Sequence, residues 1–513
     1  MCMPRYIRFR LVLKVAALCT LGTILSAHSL CQAQEVPDLT IEGGYPDKPV
    51  PLTAADLDKV LLAQADPLML GGGEVPFTEF EPIDSGLPMD AAANGYNYSI
   101  GGSAPAFDTP VFAEPQSGVG EDRPGAFRNT QYRWYGFVRL DGIYDLKPIA
   151  STDSFVVSSI PVPQGEGQNA VLTPRYTRLG FDTTTDLSFS DWDVNTRIEM
   201  DFFNGNTSGA FGTFPIRLRF AWVEYGPLLV GQAASVFMDY DVFPNVLDYQ
   251  GPNGMILMRQ PIARLKLPVL DENNTISLGV EQPYSDIQWE DGGTFVVNPG
   301  TGIITDPTAD ANEQDMPDFT SNLRHDGDYG HVQLAGILRR LAFREDGGTD
   351  YADTGYGANL TGTWHPYAWM AGCSPTATKC PAPWQKSRFL GQYAQGTGIN
   401  RYFQDPNGLG LDAVFIEGVG FETIDSNGWF LAYEHWWADR WASVFSYSEM
   451  DVDLPSGLPG DTYQQGQYAT GNLIYLPFER MGVGLEFLYG ERQNNDGETG
   501  EAYRIQTALQ YKF

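Results

Sequence analysis

The sequence contains few cysteines and few histidines, which limits the chemistry that it can support. There are five of each among 513 residues. Three cysteines lie within the first 33 residues, which leaves Cys373 and Cys380 for the rest of the chain. Neither a G-x-S-x-G nor an H-E-x-x-H motif is present. We therefore predict no catalytic residues, no bound metal and no cofactor. In an oxidising compartment Cys373 and Cys380 can close one small loop as a disulfide.

Long apolar runs and basic residues are also scarce. After residue 33, no stretch reaches about 18 consecutive apolar residues, the length that a membrane-spanning helix needs. Acidic residues outnumber basic ones by 64 to 32, which gives a formal net charge of −32. Because so acidic a chain repels phosphate groups, we exclude nucleic acid as a partner.

The first 33 residues are typical of an export signal. Basic residues between Arg5 and Lys14 precede an apolar stretch from Val15 to Leu25, and small residues stand before Gln34. Residues 1–33 are therefore predicted to be a signal peptide, with an uncleaved membrane anchor as the alternative. An exported membrane protein without apolar helices must span the bilayer as a closed barrel, since only helices and closed barrels satisfy the backbone in lipid.

Composition divides the remaining chain at about residue 130. Residues 34–130 are rich in Pro, Gly, Ala and Asp and show little periodicity, which predicts a flexible periplasmic N-terminal segment. From 131 to 513, short alternating segments recur between turns and long polar loops. This pattern predicts an all-β fold, an antiparallel transmembrane β-barrel in a bacterial outer membrane.

The final segment shows the alternation most clearly. In Glu501–Phe513, apolar and aromatic side chains share one face, and mainly polar ones share the other. The segment resembles the terminal strand of bacterial outer-membrane proteins, whose last aromatic residue is recognised by the barrel assembly machinery. Tyr511 and Phe513 are accordingly predicted to be the assembly signal.

Charged residues also alternate with apolar ones in other segments. In Thr196–Phe202, Arg197 and Glu199 would face the lumen. In the segment that follows, Arg217 and Arg219 would face inward, and the outward positions are predicted to be Ile216, Leu218, Phe220 and Trp222. A soluble core buries such charges only at high cost, whereas a water-filled lumen accepts them.

Turn lengths predict the number of strands and the orientation of the barrel. Short turns follow residues 225, 328, 438 and 477, and long polar loops are predicted at 204–213, 285–316, 346–353, 402–426, 452–462 and 491–500. Because outer-membrane barrels have short periplasmic turns and long outer loops, this alternation gives about sixteen strands with both ends in the periplasm. It also places Cys373 and Cys380 in an enlarged periplasmic turn.

Trp436, Trp437 and Trp441 are predicted to belong to an interfacial aromatic girdle, with ordinary core aromatics as the alternative.

Several segments resemble the DcaP-like porins, which are trimeric outer-membrane channels associated with dicarboxylate uptake. The resemblance covers roughly residues 131–513, and its most specific part lies between Phe237 and Pro261. The matching stretches are Tyr135–Asp141, Arg175–Phe181, Phe237–Asp241, Asn245–Pro252, Met258–Pro261 and Ala432–Trp437. The resemblance implies a homotrimer in which a segment at about 236–254 folds into the pore and narrows it.

The expected function is passive diffusion of small polar solutes, with anions such as dicarboxylates favoured. Strand parity predicts a basic lumen wall formed by Arg139, Arg178, Arg197, Arg217, Arg219, Arg264 and Lys266, with Arg324 and Arg339 as further candidates. Acids of the inward-folded segment, Asp239, Asp241 and Asp248, are predicted to face them. For each arginine, a salt bridge that stiffens the lumen wall is the alternative. The expected partners are the lipid bilayer with its lipopolysaccharide, the assembly machinery and the solutes themselves.

Three other protein classes compete with a porin. A plugged barrel used for adhesion or anchoring would share the fold but would not conduct ions. An outer-membrane hydrolase would need a nucleophile and histidine on the barrel, and the motifs for these are missing. A soluble secreted β-protein would explain neither Phe513 nor the charges within the alternating segments.

Overall fold

The computed structural model describes most of the chain from residue 130 onward. The described residues are 130–187, 190–203, 214–269, 271–289, 311–313, 316–344, 350–375, 382–416 and 420–513. The predicted signal peptide and the N-terminal segment up to residue 129 lie outside them. Among the described residues, no helix is long and apolar enough to cross a membrane.

The described residues form twenty-one β-strands, which carry the alternating segments seen in the sequence. The strands are β1 (Thr130–Asp145), β2 (Asn169–Thr173), β3 (Arg178–Thr185), β4 (Val194–Asp201), β5 (Arg217–Tyr225), β6 (Leu228–Ala234), β7 (Arg259–Val269), β8 (Asp271–Glu281), β9 (Ile287–Trp289), β10 (Ala311–Glu313), β11 (Asp318–Gly327), β12 (Gly330–Arg344), β13 (Asp350–Trp364), β14 (Arg388–Thr397), β15 (Ala413–Ile416), β16 (Gly420–Thr423), β17 (Asp425–Ala438), β18 (Trp441–Asp453), β19 (Tyr463–Phe478), β20 (Met481–Asn494) and β21 (Thr499–Lys512).

Eighteen of these strands form one antiparallel sheet that closes on itself. The closing pair is β1 with β21, in register from Phe137 opposite Lys512 to Asp145 opposite Arg504. Strands β2 and β3 both pair with β1, and β10 and β11 both pair with β12, so each couple occupies one position in the wall. The predicted barrel of sixteen wall positions is therefore confirmed. Strands β9, β15 and β16 form a separate three-stranded sheet.

The two faces of the wall follow the predicted alternation. In β21, Ile505, Leu509 and Tyr511 are exposed on the outside, whereas Arg504 and Gln506 are buried on the inside. Every second residue therefore points at lipid, because successive side chains of a strand point to opposite faces.

The prediction that Phe220 and Trp222 face lipid is wrong, since both are buried. The register between β4 and β5 shifts opposite Glu199 and Met200, where Phe220 and Leu218 are paired and the intervening residue is skipped. Such a β-bulge inserts one residue and reverses the parity of everything that follows it. Phe220 and Trp222 consequently pack inside with Leu229, Val236 and Ile262.

The connections differ between the two ends of the barrel. We call the end where β1 begins and β21 finishes the terminal end, and the opposite end the loop end. Tight turns at the terminal end join β5 to β6, β11 to β12, β17 to β18 and β19 to β20, as predicted. Several loop predictions were too long, because β13 already begins at Asp350, β17 begins at Asp425, β18 extends to Asp453, and β20 and β21 enclose only residues 495–498.

Large aromatic side chains lie on the outside of the barrel near the terminal end. Trp437 and Trp441 are exposed there, as expected of an interfacial girdle. Trp436 is not part of it: it has the same parity as Phe430 and Glu434 on the buried face of β17, and it packs inside in a cluster with Leu247. Cys373 lies in the connection at this end between β13 and β14 and is disulfide-bonded. Its predicted partner Cys380 lies outside the described residues.

Candidate functional site: the barrel lumen

Residues 235–258, which connect β6 to β7, run through the barrel interior, and we call them the inward segment. Most of its side chains between Val236 and Met255 are buried. It contacts wall residues on the far side from its own strands, including Asn359 on β13 and Gln392 on β14. Gly254 fits so closely that an added Cβ would lie 2.4 Å from the backbone oxygen of Glu449. The prediction of a segment folded into the pore is confirmed.

Carboxylates of the wall hold the inward segment by accepting its backbone N–H groups. Glu486 accepts hydrogen bonds from the amides of Leu247 and Asp248, at 2.8 and 2.9 Å. Glu434 accepts both the amide and the side-chain nitrogen of Asn245, each at 2.8 Å. Charge-assisted hydrogen bonds of this kind are stronger than neutral ones. The lumen charges thus supply the partners that a buried loop would otherwise lack.

A second connection also enters the lumen, between β14 and β17. Tyr402 and Phe403 are fully buried, and Phe403 forms a β-bridge with Ile256 of the inward segment. Their side chains join an apolar cluster with Phe237 and Met255. The two segments together therefore fill the part of the lumen that faces the later strands, where most inward side chains are buried.

The predicted cations divide into buried and partly exposed ones. Arg139 is buried, pairs with Asp141 at 2.6 Å and donates to the backbone oxygen of Leu247, so it anchors the inward segment. Arg339 is buried between Asp318 and Asp412, at 3.0 Å from each. Arg139 therefore forms a salt bridge within the wall, and Arg339 also links the wall to Asp412 in the connection between β14 and β17.

The other predicted cations lie on the early strands. Arg178 and Arg219 flank Glu199, at 3.5 and 2.7 Å, and are buried. Arg197 is mostly covered and pairs with Asp182 at 2.9 Å. Arg217 keeps 30% of its side chain exposed and pairs with Asp201 at 2.7 Å.

Towards the terminal end, the cations on β7 are more open. Arg264 is 26% exposed and pairs with Glu224 on β5 at 2.9 Å. Lys266 shares its lumen parity and forms no ion pair with a described carboxylate. We call the lumen cations of β1 and β3–β7, other than the anchoring Arg139, the basic wall; they are Arg133, Arg178, Arg197, Arg217, Arg219, Arg259, Arg264 and Lys266.

The structure also places the guanidinium of Arg259 inside the barrel. It donates to the Tyr240 hydroxyl at 3.0 Å and interacts electrostatically with the like charges of Arg219 and Arg217. Tyr249 of the inward segment lies between the guanidinium groups of Arg217 and Arg219 and Asp201, and it bonds to all three. The family-matching stretches Phe237–Asp241 and Asn245–Pro252 contain both tyrosines and were the signal that could have indicated this contact.

The predicted acids of the inward segment have different surroundings. Asp248 is fully buried and accepts the amides of Phe155 and Gly251. Asp239 is buried against His331 and Thr361, at 2.8 and 2.6 Å. Burial alone would raise the pKa of Asp239, but the hydrogen bond from His331 and the charge of Arg324 lower it below its ordinary value. Only Asp241, 37% exposed, reaches open lumen.

We call Asp239, Asp241 and Asp326, which surround Arg324, the acidic corner. The Arg324 guanidinium lies 3.3 Å from Asp239 and 2.7 Å from each of the other two. The ligand atoms of Asp239, Asp241 and His331 also lie within 4.8 Å of one another, close enough to hold a metal ion. Because Arg324 already pairs with both carboxylates, these residues are explained without a metal.

A buried carboxyl at the loop end links two connections. Asp405 accepts the Ser158 amide at 2.9 Å and the Tyr463 hydroxyl at 2.8 Å. Burial raises the pKa of Asp405 to about 6, although these hydrogen bonds oppose the shift. The folded barrel therefore binds this proton more tightly than the unfolded chain does.

The resulting prediction concerns stability between pH 4 and 7. Because the folded-state pKa of Asp405 is raised, its protonated form is favoured on folding, and that stability is lost as pH rises through about 6. Asp405→Asn should remove this loss, which we estimate at about 1–3 kcal/mol. Urea unfolding of the barrel in detergent micelles across this pH range measures it. The exposed Asp439→Asn should keep the wild-type profile, and a variant D405N with an unchanged profile would contradict the assignment.

A closed antiparallel barrel with an apolar outside, a charged inside and a segment folded into its lumen defines an outer-membrane protein of the porin class. The family model of the DcaP outer membrane protein matches residues 115–293. The resemblance to DcaP-like porins is thereby confirmed, over the part of the chain that the family model covers.

Comparison with solved structures gives the same fold. The outer-membrane channel DcaP of Acinetobacter baumannii superposes with a TM-score of 0.60 at 20% identity, covering 75% of this chain and 98% of that one. An anion-selective porin from Comamonas acidovorans matches at 10% identity and a TM-score of 0.46, covering 75% of this chain and all of that one. OmpF of Salmonella typhi matches at 10% identity and 0.45, over 75% and 98% of the chains. No curated protein matches the sequence significantly.

Proposed function

We propose that the protein is a porin through which small polar solutes diffuse passively and in which anions, including dicarboxylates, are favoured. The observation that carries this proposal is the excess of cations on the solvated lumen face. Arg259 and Lys266 form no ion pair with a described carboxylate, and Arg217 and Arg264 remain partly exposed although they are paired. No step of the proposal requires catalysis.

The arrangement of charges supports an oriented passage. The basic wall adjoins the acidic corner, since Lys266 interacts electrostatically with both Arg324 and Asp326. The two groups together set the field at this part of the pore. A low-dielectric channel focuses such a field and raises the local concentration of ions of opposite charge. Guanidinium groups suit carboxylates in particular, since their planar fork can bind both oxygens.

The overall acidity of the chain does not oppose this preference. Charges on distant loops are screened by salt over about 8–10 Å, whereas charges on the lumen wall lie next to the permeating ion. The selectivity of a pore is accordingly set by the side chains that line it.

The proposal also covers the export, orientation and assembly of the barrel. Residues 1–33 direct export, the terminal end with residues 34–130 faces the periplasm, and three copies form a homotrimer in a bilayer whose outer leaflet is lipopolysaccharide. The tight turns at the terminal end support this orientation. Tyr511 and Phe513 serve as the signal for the assembly machinery. Phe513 donates its amide to the Gly136 oxygen at 3.1 Å, which closes the sheet next to β1.

The test is single-channel recording of the refolded mature chain in a planar bilayer with a salt gradient. We expect conductance steps, a reversal potential of the sign for anion preference, and reduced current when a dicarboxylate such as succinate is added. Steps with cation preference would retain the porin and refute the role of the basic wall. A correctly folded, heat-modifiable barrel that gives no steps would instead support the plugged structural barrel.

A further inference from the structure

The connection between β13 and β14, residues 365–387, is much longer than the tight turns beside it at the terminal end. Its described part contains a short helix, α1 (Pro366–Ala371), and a 3-10 turn at Pro383–Lys386. Cys373, which is disulfide-bonded, follows the helix directly. We call residues 365–387 the insert.

The insert is fixed to the barrel at both of its ends. The His365 amide donates to the Tyr329 oxygen in the neighbouring turn at 2.8 Å. At the other end, the Ser387 hydroxyl accepts the Trp436 amide at 3.0 Å. Gly372 ends α1 with a φ of 61°, in the left-handed region that favours glycine. The side chains of the described part of the insert, residues 365–375 and 382–387, are therefore held in defined directions.

The insert has a buried face and an exposed apolar face. Pro366 and Ala368 are buried against the barrel. Trp369 and Met370, by contrast, are 57% and 64% exposed, and Trp384 is also exposed. A group of large apolar side chains on a protein surface is typical of an interaction site.

The exposed face continues the lipid-facing surface of the barrel. The Trp369 ring lies 6.2 Å from the ring of Trp364, an outward residue of β13. Trp364 stacks on Phe389 of β14 at 6.3 Å, and Phe389 contacts Tyr433 of β17 at 4.7 Å. An unbroken row of aromatic rings thus leads from the girdle onto the insert.

We propose that the insert is a membrane-interface anchor whose exposed face lies in the phospholipid leaflet at the terminal end of the barrel. Tryptophan is favoured at this depth, since its ring is apolar while its N–H can bond to headgroups or water. By comparison with interfacial helices, the Trp369 and Met370 side chains should lie about 5–10 Å into the boundary between headgroups and acyl chains. The surface thereby extends the contact of the barrel with lipid beyond its wall.

Spin-label accessibility in vesicles tests the anchor. Single variants Trp369→Cys and Met370→Cys of the full mature chain, labelled under non-reducing conditions so that the disulfide persists, are reconstituted in phosphatidylethanolamine and phosphatidylglycerol vesicles. The matched control is Asp439→Cys, in an exposed tight turn at the same end. Both replaced residues are more than half exposed, so folding should be preserved, and heat-modifiability on a gel checks it.

The label at 369 and 370 should be more accessible to oxygen, which partitions into lipid, and less accessible to a water-soluble nickel complex than the label at 439. Equal accessibility at all three positions would overturn the proposal, because the insert would then lie in water. Low accessibility to both reagents at 369 and 370 would also overturn it and would assign the surface to contact with a second copy of the chain.

Discussion

Replacing both Glu434 and Glu486 by glutamine should widen the channel and make its current noisy. Each carboxylate accepts two N–H groups of the inward segment, and these hydrogen bonds hold residues 245–248 to the wall. At position 486 the NH2 group of a glutamine would face one of the two amide donors, which bond to different oxygens. At position 434 both donors bond to Oε1, and the NH2 group would face the guanidinium of Arg388, which pairs with Oε2 at 2.6 Å. Hydrogen bonds to charged groups contribute about 1.5–3 kcal/mol each, so the segment should detach part of the time.

Single-channel conductance measures this effect directly. The mean conductance should rise and additional levels should appear, because the lumen is filled by the segment only while it is docked. Glu491→Gln is the matched control, since Glu491 accepts from Tyr489 and has no contact with the segment. If the double variant folds and conducts like the wild type, these carboxylates are not the anchors. Should the double variant fail to fold, Glu486→Gln alone provides the comparison, because its two amide donors bond to different oxygens.

Neutralising the open part of the basic wall should reduce or reverse anion preference. Arg264→Gln together with Lys266→Gln removes two cations from β7. Arg264 pairs with Glu224, whereas Lys266 forms no ion pair with a described carboxylate. Glu224 is then left as an unbalanced charge on the lumen face. Charges at about 4 Å interact by roughly 4 kcal/mol at an effective dielectric constant of 20, and salt and distance reduce this in an open pore.

If the free energy of an anion relative to a cation in the pore changes by about 1.4 kcal/mol, the anion-to-cation permeability ratio changes tenfold. The reversal potential in a salt gradient measures this ratio, and the competition by succinate should weaken in parallel. Arg440→Gln removes a cation from an exposed turn and should leave both quantities unchanged. If the reversal potential of the double variant equals that of the wild type, Arg264 and Lys266 do not contribute to ion selectivity.

The wall of the barrel follows closely from the sequence. Period-two alternation depends only on neighbouring residues, so β21 and β4 could be placed with their faces correct. For Trp436 the alternation of β17 already indicates a lumen position, since it shares the parity of Phe430 and Glu434. On β5, prediction failed because a register shift intervened opposite Glu199 and Met200. A bulge inserts one residue through the pairing of two strands, and no pattern within either strand reveals it.

The candidate site could be predicted only in part from the sequence. Parity correctly put Arg217, Arg264 and Lys266 inside, and family likeness placed the inward segment in the pore. Neither could separate the buried Arg139 and Arg339 from the partly exposed Arg217, because exposure depends on where the inward segment lies. Glu434 and Glu486 were missed for the same reason, although both occupy lumen positions of alternating strands.

The sequence by itself determined an acidic chain that forms a barrel of about sixteen strands, because periodicity and turn length are local properties. Only the tertiary structure decided which lumen charges anchor the inward segment and which remain available to a solute. Residues such as Asn245 and Glu434 meet across 189 positions of sequence, and their contact arises from closure of the sheet and docking of the segment within it. Burial and pairing of charges depend on such distant contacts, which local pattern does not contain.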